Sequence, residues 1–530
     1  MFLLLLILFS ATSCSTYAAN DTNYDNFVNC LSENGISKIQ ASQIVYTPNN
    51  SKFTSVLNTY VKNLRFNTST TPKPAIIVTP LVESHVPAIV LCTKKLGLLL
   101  KIRSGGHDYE GLSYVAEDGL KFIILDLFNL RTIDVDIEDE TAWVQSGAML
   151  GELYYRIWEK SRVHGFPGGV CPTVGVGGHF SGGGYGNMLR RHGLTVDHIV
   201  DARFVDVQGR ILDRKSMGED LFWAIRGGGG ASFGVVLAYK INLVRVPEVT
   251  TIFRVERFPE DNSTDVLYSW QQIADKIDHD LFMRVLLQPV TGKVKGVKVV
   301  RLTFIGMFLG DGNRLMSVMD SEFPELKLKK SDVREMSWID SVLYWANFAN
   351  NTAPEALLSR FSSVNFLKRK SDYVQTPISK DGLERIFKKM VELGKPGFAW
   401  NPYGGRMSEI SSTETPFPHR AGNIFKMQYS VNWNEEGSAA ETDYIDQGRK
   451  LFSYMTPFVS KNPRSAYLNY RDIDIGTTDY GKNSYDEGKV FGVKYFNNNF
   501  DRLVQIKTKV DPGNFFRNEQ SIPTLPFLEK

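Results

Sequence analysis

The 530-residue sequence predicts an α+β protein of two domains, the second a mixed sheet covered by helices. Short aliphatic strands alternate with helical segments between residues 74 and 245. Beyond Pro247, longer segments read as strands, and Ile424–Trp433 alternates cleanly between apolar and polar residues. The length itself corresponds to roughly two to four units of about 150 residues. With 42% hydrophobic and 22% charged residues, the composition excludes intrinsic disorder. A net charge of +3 gives no electrostatic reason to expect nucleic acid or anionic lipid as partner. No apolar run reaches the length of a membrane span in the mature chain. A monomer acting on a small molecule, with no metal site, is the expectation.

Met1–Phe9 is one aliphatic stretch, followed by small residues to Ala19, which reads as a secretory signal peptide over residues 1–19. Asn20, Asn49, Asn67, Asn262 and Asn350 each open an Asn-x-Ser/Thr acceptor site, in keeping with export to the wall, the extracellular space or a vacuole. Cys14 leaves with the signal, so three cysteines remain in an oxidising compartment. Cys30 and Cys92 flank a segment rich in helix formers and read as a structural disulfide. Cys171, in the turn-rich Phe166-Pro-Gly-Gly-Val-Cys-Pro-Thr, is left over.

Residues 20–245 form the first predicted domain. Its strands are Ala75–Thr79, Leu98–Arg103, Ile123–Leu127, Arg131–Asp136, Thr141–Gln145 and Val235–Val244. Ser84 is placed to cap a helix that tolerates Pro87 in its first turn, and a second helix runs over Met149–Lys160. Val200–Val207 and Arg210–Leu212 form a hairpin about Gln208-Gly209, and Asp220–Ile225 a helical turn. Residues 246–465 form the second domain, with strands Phe282–Val290, Val297–Phe308 and Ile424–Trp433 and helices near Thr264–Ile277 and Lys380–Leu393. Residues 466–530 look irregular and are expected to return to the first domain.

Two glycine-rich loops bracket the first domain's centre: Ser104-Gly-Gly-His-Asp-Tyr-Glu-Gly and Gly175-Val-Gly-Gly-His-Phe-Ser-Gly-Gly-Gly-Tyr-Gly. Gly227–Gly230 is a third stretch. Glycines let backbone N–H groups approach an anion, as a diphosphate cofactor requires. Neither loop has the spacing of a Rossmann fingerprint or a P-loop, which disfavours a nicotinamide fold or an ATPase. His107 lies in the first loop and the unmatched Cys171 beside the second. Imidazole and thiolate are both nucleophiles able to attach to an electrophilic isoalloxazine ring.

With Arg103-Ser-Gly-Gly-His-Asp, Cys171-Pro-Thr-Val-Gly-Val-Gly-Gly-His, Glu219-Asp-Leu-Phe-Trp-Ala-Ile-Arg-Gly-Gly-Gly-Gly, Asn469-Tyr-Arg-Asp and Phe515-Phe-Arg-Asn-Glu-Gln-Ser-Ile-Pro in that order, the chain resembles the plant berberine-bridge-enzyme-like FAD-linked oxidases of the vanillyl-alcohol-oxidase family. The resemblance implies that family's two-domain fold, FAD bonded to both His107 and Cys171, and the Cys30–Cys92 disulfide. It places Arg103, Ser104, Gly105, Gly106 and Asp108 of the first loop at the cofactor. Val174, Gly175, Gly177, Gly178 and Tyr185 of the second join them, as do Val236, Tyr467 and Asn469. It gives Arg284 and Tyr403 to the substrate.

The resemblance further implies a catalytic group of Tyr470, Lys426, Gln428, Tyr185 and Tyr109. Some family members carry a glutamate base where this chain has Gln428, and an amide cannot abstract a proton. Tyr470 then matches the base, with Lys426 as the cation favouring its phenolate and Val174 as the residue that admits oxygen. The implied function is a secreted oxidase of an alcohol or phenolic metabolite, passing hydride to flavin N5 and reducing oxygen to hydrogen peroxide. An oxidative cyclase of a prenylated phenolic, as in the similar cannabinoid-acid synthases, and a redox-silent Diels–Alder cyclase are the alternatives.

Overall fold

Residues 15–117, 119–360, 364–479 and 484–526 are described by the computed structural model, without the side chains of residues 15–23. Most of the predicted signal segment therefore lies outside the described residues. Ser15 opens the helix Ser15–Glu33.

Phe122-Ile-Ile-Leu-Asp is buried at every position because it is the inner strand of a four-stranded sheet. Ile76–Val78 and Leu99–Arg103 flank it, both parallel to it. The helix His85–Lys95 joins these two flanking strands, and a continuous aliphatic run is the signature of a parallel strand covered on both faces. One face packs Leu125 and Ile123 against Phe27 and Ile89, the other packs Ile124 and Leu99 against Phe53 and Leu57. Ser84 precedes the His85 helix without a side-chain capping bond, so only its position matches the expectation. The Cys30–Cys92 disulfide ties this helix to Ser15–Glu33. Closing a loop of that length restricts the unfolded chain by about 4 kcal/mol.

A five-stranded antiparallel sheet follows, in the order Ile133–Asp136, Thr141–Gln145, Val235–Asn242, Ile199–Val205, Ile211–Leu212. Gly209 takes φ +72° at the hairpin turn, a conformation costly for any residue with a Cβ.

The second large sheet has seven strands, in the order Val333–Met336, Thr250–Arg257, Lys298–Phe308, Leu281–Thr291, Gly397–Pro402, Phe425–Trp433, Phe366–Val374. Every pairing in it is antiparallel, which corrects the expected mixed sheet. Parallel pairs occur in the four-stranded sheet instead. Alternate residues of Leu281–Thr291 and Lys298–Phe308 serve two cores. Met283 and Val285 pack with Trp270, Leu383 and Leu451 under the covering helices Ser263–Ile273, Lys380–Leu393 and Ser438–Tyr454. Phe282, Met307 and Tyr373 point the other way, into the cluster that contains Phe180, Tyr467 and Trp223.

The closing segment is helical where irregular structure was expected: Ser484–Phe496 and Phe500–Val510. Beyond them Phe515 and Phe516 enter the cluster of Phe27 and Cys92. Fully buried Lys507 holds this return, its ammonium donating to Asp511 at 2.6 Å and to the carbonyls of Ser232 and Phe516 at 2.7 Å each. Glu519 accepts from the buried Lys101 at 2.8 Å. Among the described residues no helix is long and apolar enough to cross a membrane.

Candidate functional site

A cavity of about 310 Å³ lies where the two glycine loops, the seven-stranded sheet and the closing segment meet. The loops touch backbone to backbone. A Cβ added to Gly105 would come within 2.3 Å of the Gly175 nitrogen, so neither loop tolerates a side chain there. At Gly178 an added Cβ would meet only open space, on the cavity wall. His107 and Cys171 line this same cavity. His107 Nε2 lies 3.0 Å from Thr173 Oγ1. Burial, with Lys62 nearby, holds its imidazole at about 3, so it is a neutral nucleophile at ordinary pH. Cys171 is accessible from the cavity, yet the surrounding protein pushes its thiol up, while Arg284 and Arg369 pull it down.

Tyrosines make the facing wall. The Tyr185 and Tyr470 hydroxyls are directly hydrogen-bonded. The Tyr470 ring centroid lies 5.7 Å from that of Tyr109 and 5.1 Å from that of Tyr467. Gln428 Nε2 donates to the Tyr109 hydroxyl at 3.0 Å. Burial, then Tyr185 and Tyr109, push the Tyr470 phenol well above the ordinary value, with Arg284 opposing them. Arg284 also pulls Tyr185 down against its burial. Its guanidinium lines the cavity, donates to Asn401 Oδ1 at 2.7 Å and lies 5.2 Å from the Trp345 ring centroid.

Lys426 departs from its expected geometry. Its Nζ sits over ring faces, 3.1 Å from the centroid of Tyr185, 4.0 Å from Tyr467 and 4.5 Å from Tyr470. Burial, with Arg284 adding repulsion, holds the amine well below the usual lysine range. Arg284 is a cation that lowers the Tyr185 and Tyr470 phenols.

Ser104, Gly105, Gly106, Asp108, Val174, Gly175 and Gly177 all reach the cavity wall, as do Val236, Tyr467 and Asn469. Asn469 Nδ2 donates to the His179 carbonyl at 2.9 Å, fastening the tyrosine segment to the second glycine loop. Two expected residues stand elsewhere. Arg103 is fully buried beneath the first loop, donating to Asp126 at 2.7 Å and to the Leu57 and Val56 carbonyls at 2.7 and 2.8 Å. Four of its five N–H donors are taken there, away from the cavity wall. Tyr403 packs edge-on to Tyr373, centroids 5.7 Å apart, in the core behind the wall.

Sequence reasoning missed Arg369, which lies 5.6 Å from the Tyr109 ring centroid. It sits in Phe366-Leu-Lys-Arg-Lys-Ser-Asp-Tyr-Val, whose run of charges conceals a strand. It also missed Ser146, whose buried Oγ on the cavity wall has no partner among the described residues. That orphaned hydroxyl, the open space at Gly178 and the paired nucleophiles His107 and Cys171 fit a bound FAD.

Residues 74–214 match the FAD binding domain family, and residues 466–523 match the family described as berberine and berberine like. Fold and site together define a FAD-linked oxidoreductase of the vanillyl-alcohol-oxidase type. Berberine bridge enzyme-like 21 of Arabidopsis thaliana is 56% identical over 528 residues, spanning 99% of this chain and 97% of its own. The solved structure of BBE-like #28 from Arabidopsis thaliana is 44% identical, with a TM-score of 0.88 over 94% of this chain and all of its own. Phl p 4, a grass pollen allergen with glucose dehydrogenase activity, is 40% identical, with a TM-score of 0.89 over 94% of this chain and all of its own. A valine-for-isoleucine variant of that allergen is described as a glucose oxidase. The chain belongs to the berberine bridge enzyme-like family.

Proposed function

We propose that this protein is a secreted alcohol oxidase that holds FAD through both His107 and Cys171. The observation that carries this reading is the hydrogen-bonded Tyr185–Tyr470 pair, beside Arg284, in the same cavity as the two nucleophiles. When bound, FAD supplies the hydride acceptor, and oxygen returns it to the oxidised state as hydrogen peroxide is released.

The chain's own residues do the rest. Tyr470 Oη, as a phenolate whose negative charge the Tyr185 hydroxyl shares through their hydrogen bond, accepts the substrate hydroxyl proton. Arg284 opposes the rise that burial imposes on both phenols. Gln428 donates to Tyr109 and so orients that ring without acting as a base. The packed rings of Tyr109, Tyr467 and Tyr470 exclude water from the reacting carbon. Val174, on the cavity wall, leaves the small volume that oxygen needs. A single aliphatic exchange separates a neighbour described as a dehydrogenase from one described as an oxidase, which supports steric control of the acceptor. The candidate substrates are carbohydrate hydroxyls, as in the glucose-oxidising neighbour, and phenylpropanoid alcohols. The Cys30–Cys92 disulfide and the five acceptor asparagines support passage through the secretory pathway.

Anaerobic addition of sugars, monolignols and prenylated phenols, followed by air, tests the reading. An oxidase substrate bleaches the yellow absorbance, and air restores it with one peroxide per turnover. Product formed without bleaching would replace this reading with a redox-silent cyclase.

A further inference from the structure

Tyr109 and Tyr470 lie on segments far apart in the chain, and one buried ammonium joins those segments. Lys368 Nζ pairs with Glu110, the residue after Tyr109, and with Asp472, two residues after Tyr470, the latter at 2.9 Å. The Lys368 side chain is 2% exposed, that of Glu110 0% and that of Asp472 3%. Lys368 lies on Phe366–Val374, the edge strand of the seven-stranded sheet. Lys370, two positions on and so on the same face, donates to Asp472 at 2.7 Å and Asp474 at 2.8 Å. Arg65 reaches the other oxygen of Glu110 at 3.4 Å. The same strand grips both segments by uncharged contacts. Asn63 Nδ2 donates to the carbonyls of Tyr109 and Leu367, at 2.9 and 3.2 Å, and Ser371 Oγ accepts from the Tyr467 amide at 2.9 Å.

We propose that Lys368 is a positioning residue for the reaction: by holding Glu110 and Asp472 on one ammonium, it fixes the Tyr109 and Tyr470 rings against each other across the substrate. The proposal rests on the reading of Tyr470 as the base. A buried ion pair adds little net stability over an apolar filling of equal volume, but a point charge shared by two carboxylates defines the register between their segments. Register matters here because a misplacement of about 1 Å at a reacting group costs on the order of 100-fold in rate.

The test uses the FAD-loaded, full-length protein. Lys368→Met should lower the anaerobic rate of flavin bleaching about 100-fold at saturating substrate. KM should stay nearly unchanged, since the cavity wall at Arg284 is untouched. In a Tyr470→Phe background the same substitution should cost less than about twofold, because positioning then has no base to act on. Hydrogen–deuterium exchange should quicken at residues 108–112 and 469–474 and stay constant in the Lys380–Leu393 helix. Additive losses in the double-mutant cycle, or a folded Lys368→Met enzyme of near wild-type rate, would overturn the proposal. If Lys368→Met fails to take up FAD, Asp472→Asn removes one arm of the bridge at constant volume, with the same non-additivity expected and additivity again overturning the idea. A fully active Tyr470→Phe enzyme instead refutes the base assignment. The exchange pattern then still decides whether Lys368 holds the two segments.

Discussion

Replacing Tyr470 with phenylalanine deletes one oxygen and leaves the ring in place. Its neighbours Tyr467, Tyr109 and Tyr185, at centroid distances of 5.1, 5.7 and 5.9 Å, lose nothing. The structural cost is one hydrogen bond to Tyr185, whose hydroxyl keeps Arg284 as a polar partner. That amounts to about 1 kcal/mol, so folding and FAD content should survive. The chemical cost is larger. Loss of a positioned base slows a reaction roughly 100- to 10,000-fold, a barrier increase of about 3–5 kcal/mol. The pH profile carries the sign of the argument. Burial, Tyr185 and Tyr109 place the Tyr470 phenol above its ordinary value, and the base acts only when deprotonated. The wild-type kcat/KM, read by anaerobic stopped flow, should therefore climb toward tenfold per pH unit, without a plateau below about pH 10. The phenylalanine variant should lose that climb. A variant within tenfold of wild type, with the slope intact, would refute the assignment and move the role to Tyr185 or Tyr109.

Acid-precipitated, denatured protein should remain yellow, and a peptide containing Cys171 should carry flavin mass; His107→Ala should leave one attachment and a slower, folded enzyme. Val174→Leu should leave substrate bleaching nearly unchanged and strongly slow reoxidation in air, because one methylene fills space in a closely packed wall; equal reoxidation rates would remove Val174 from oxygen control. His419 is stacked on Tyr373 at 4.1 Å and donates from Nε2 to the Tyr495 carbonyl, and burial holds it at about 3. Its unfolded value is about 6.5, so below that pH the unfolded chain binds more protons and stability falls by about 1.4 kcal/mol per pH unit. Urea unfolding at decreasing pH should show this loss in wild type and a shallower one in His419→Gln.

Features whose cause lies in neighbouring residues were legible in the sequence. Thr141–Gln145 and Lys380–Leu393 have the predicted bounds because the alternation and the helical period are written within each segment. The glycine loops, His107 and the leftover Cys171 announced themselves because glycine at a close backbone approach, and an odd thiol in a chain expected to be exported, have few other uses. Long-range pairing decided the rest. Residues 366–374 are not among the strands expected from the sequence; Glu110, Asp472 and Asp474, placed against Lys368 and Lys370, make their charges a buried face. Arg103 was expected at the cofactor, and Asp126 with two carbonyls takes it instead. Lys426 was expected as a cation beside an oxygen, and three aromatic rings enclose it without a carboxylate. Local pattern thus determined which segments carry the chemistry. Only the tertiary structure decided the charge each group bears, because the energy of a buried charge is set by partners that the linear order does not bring together.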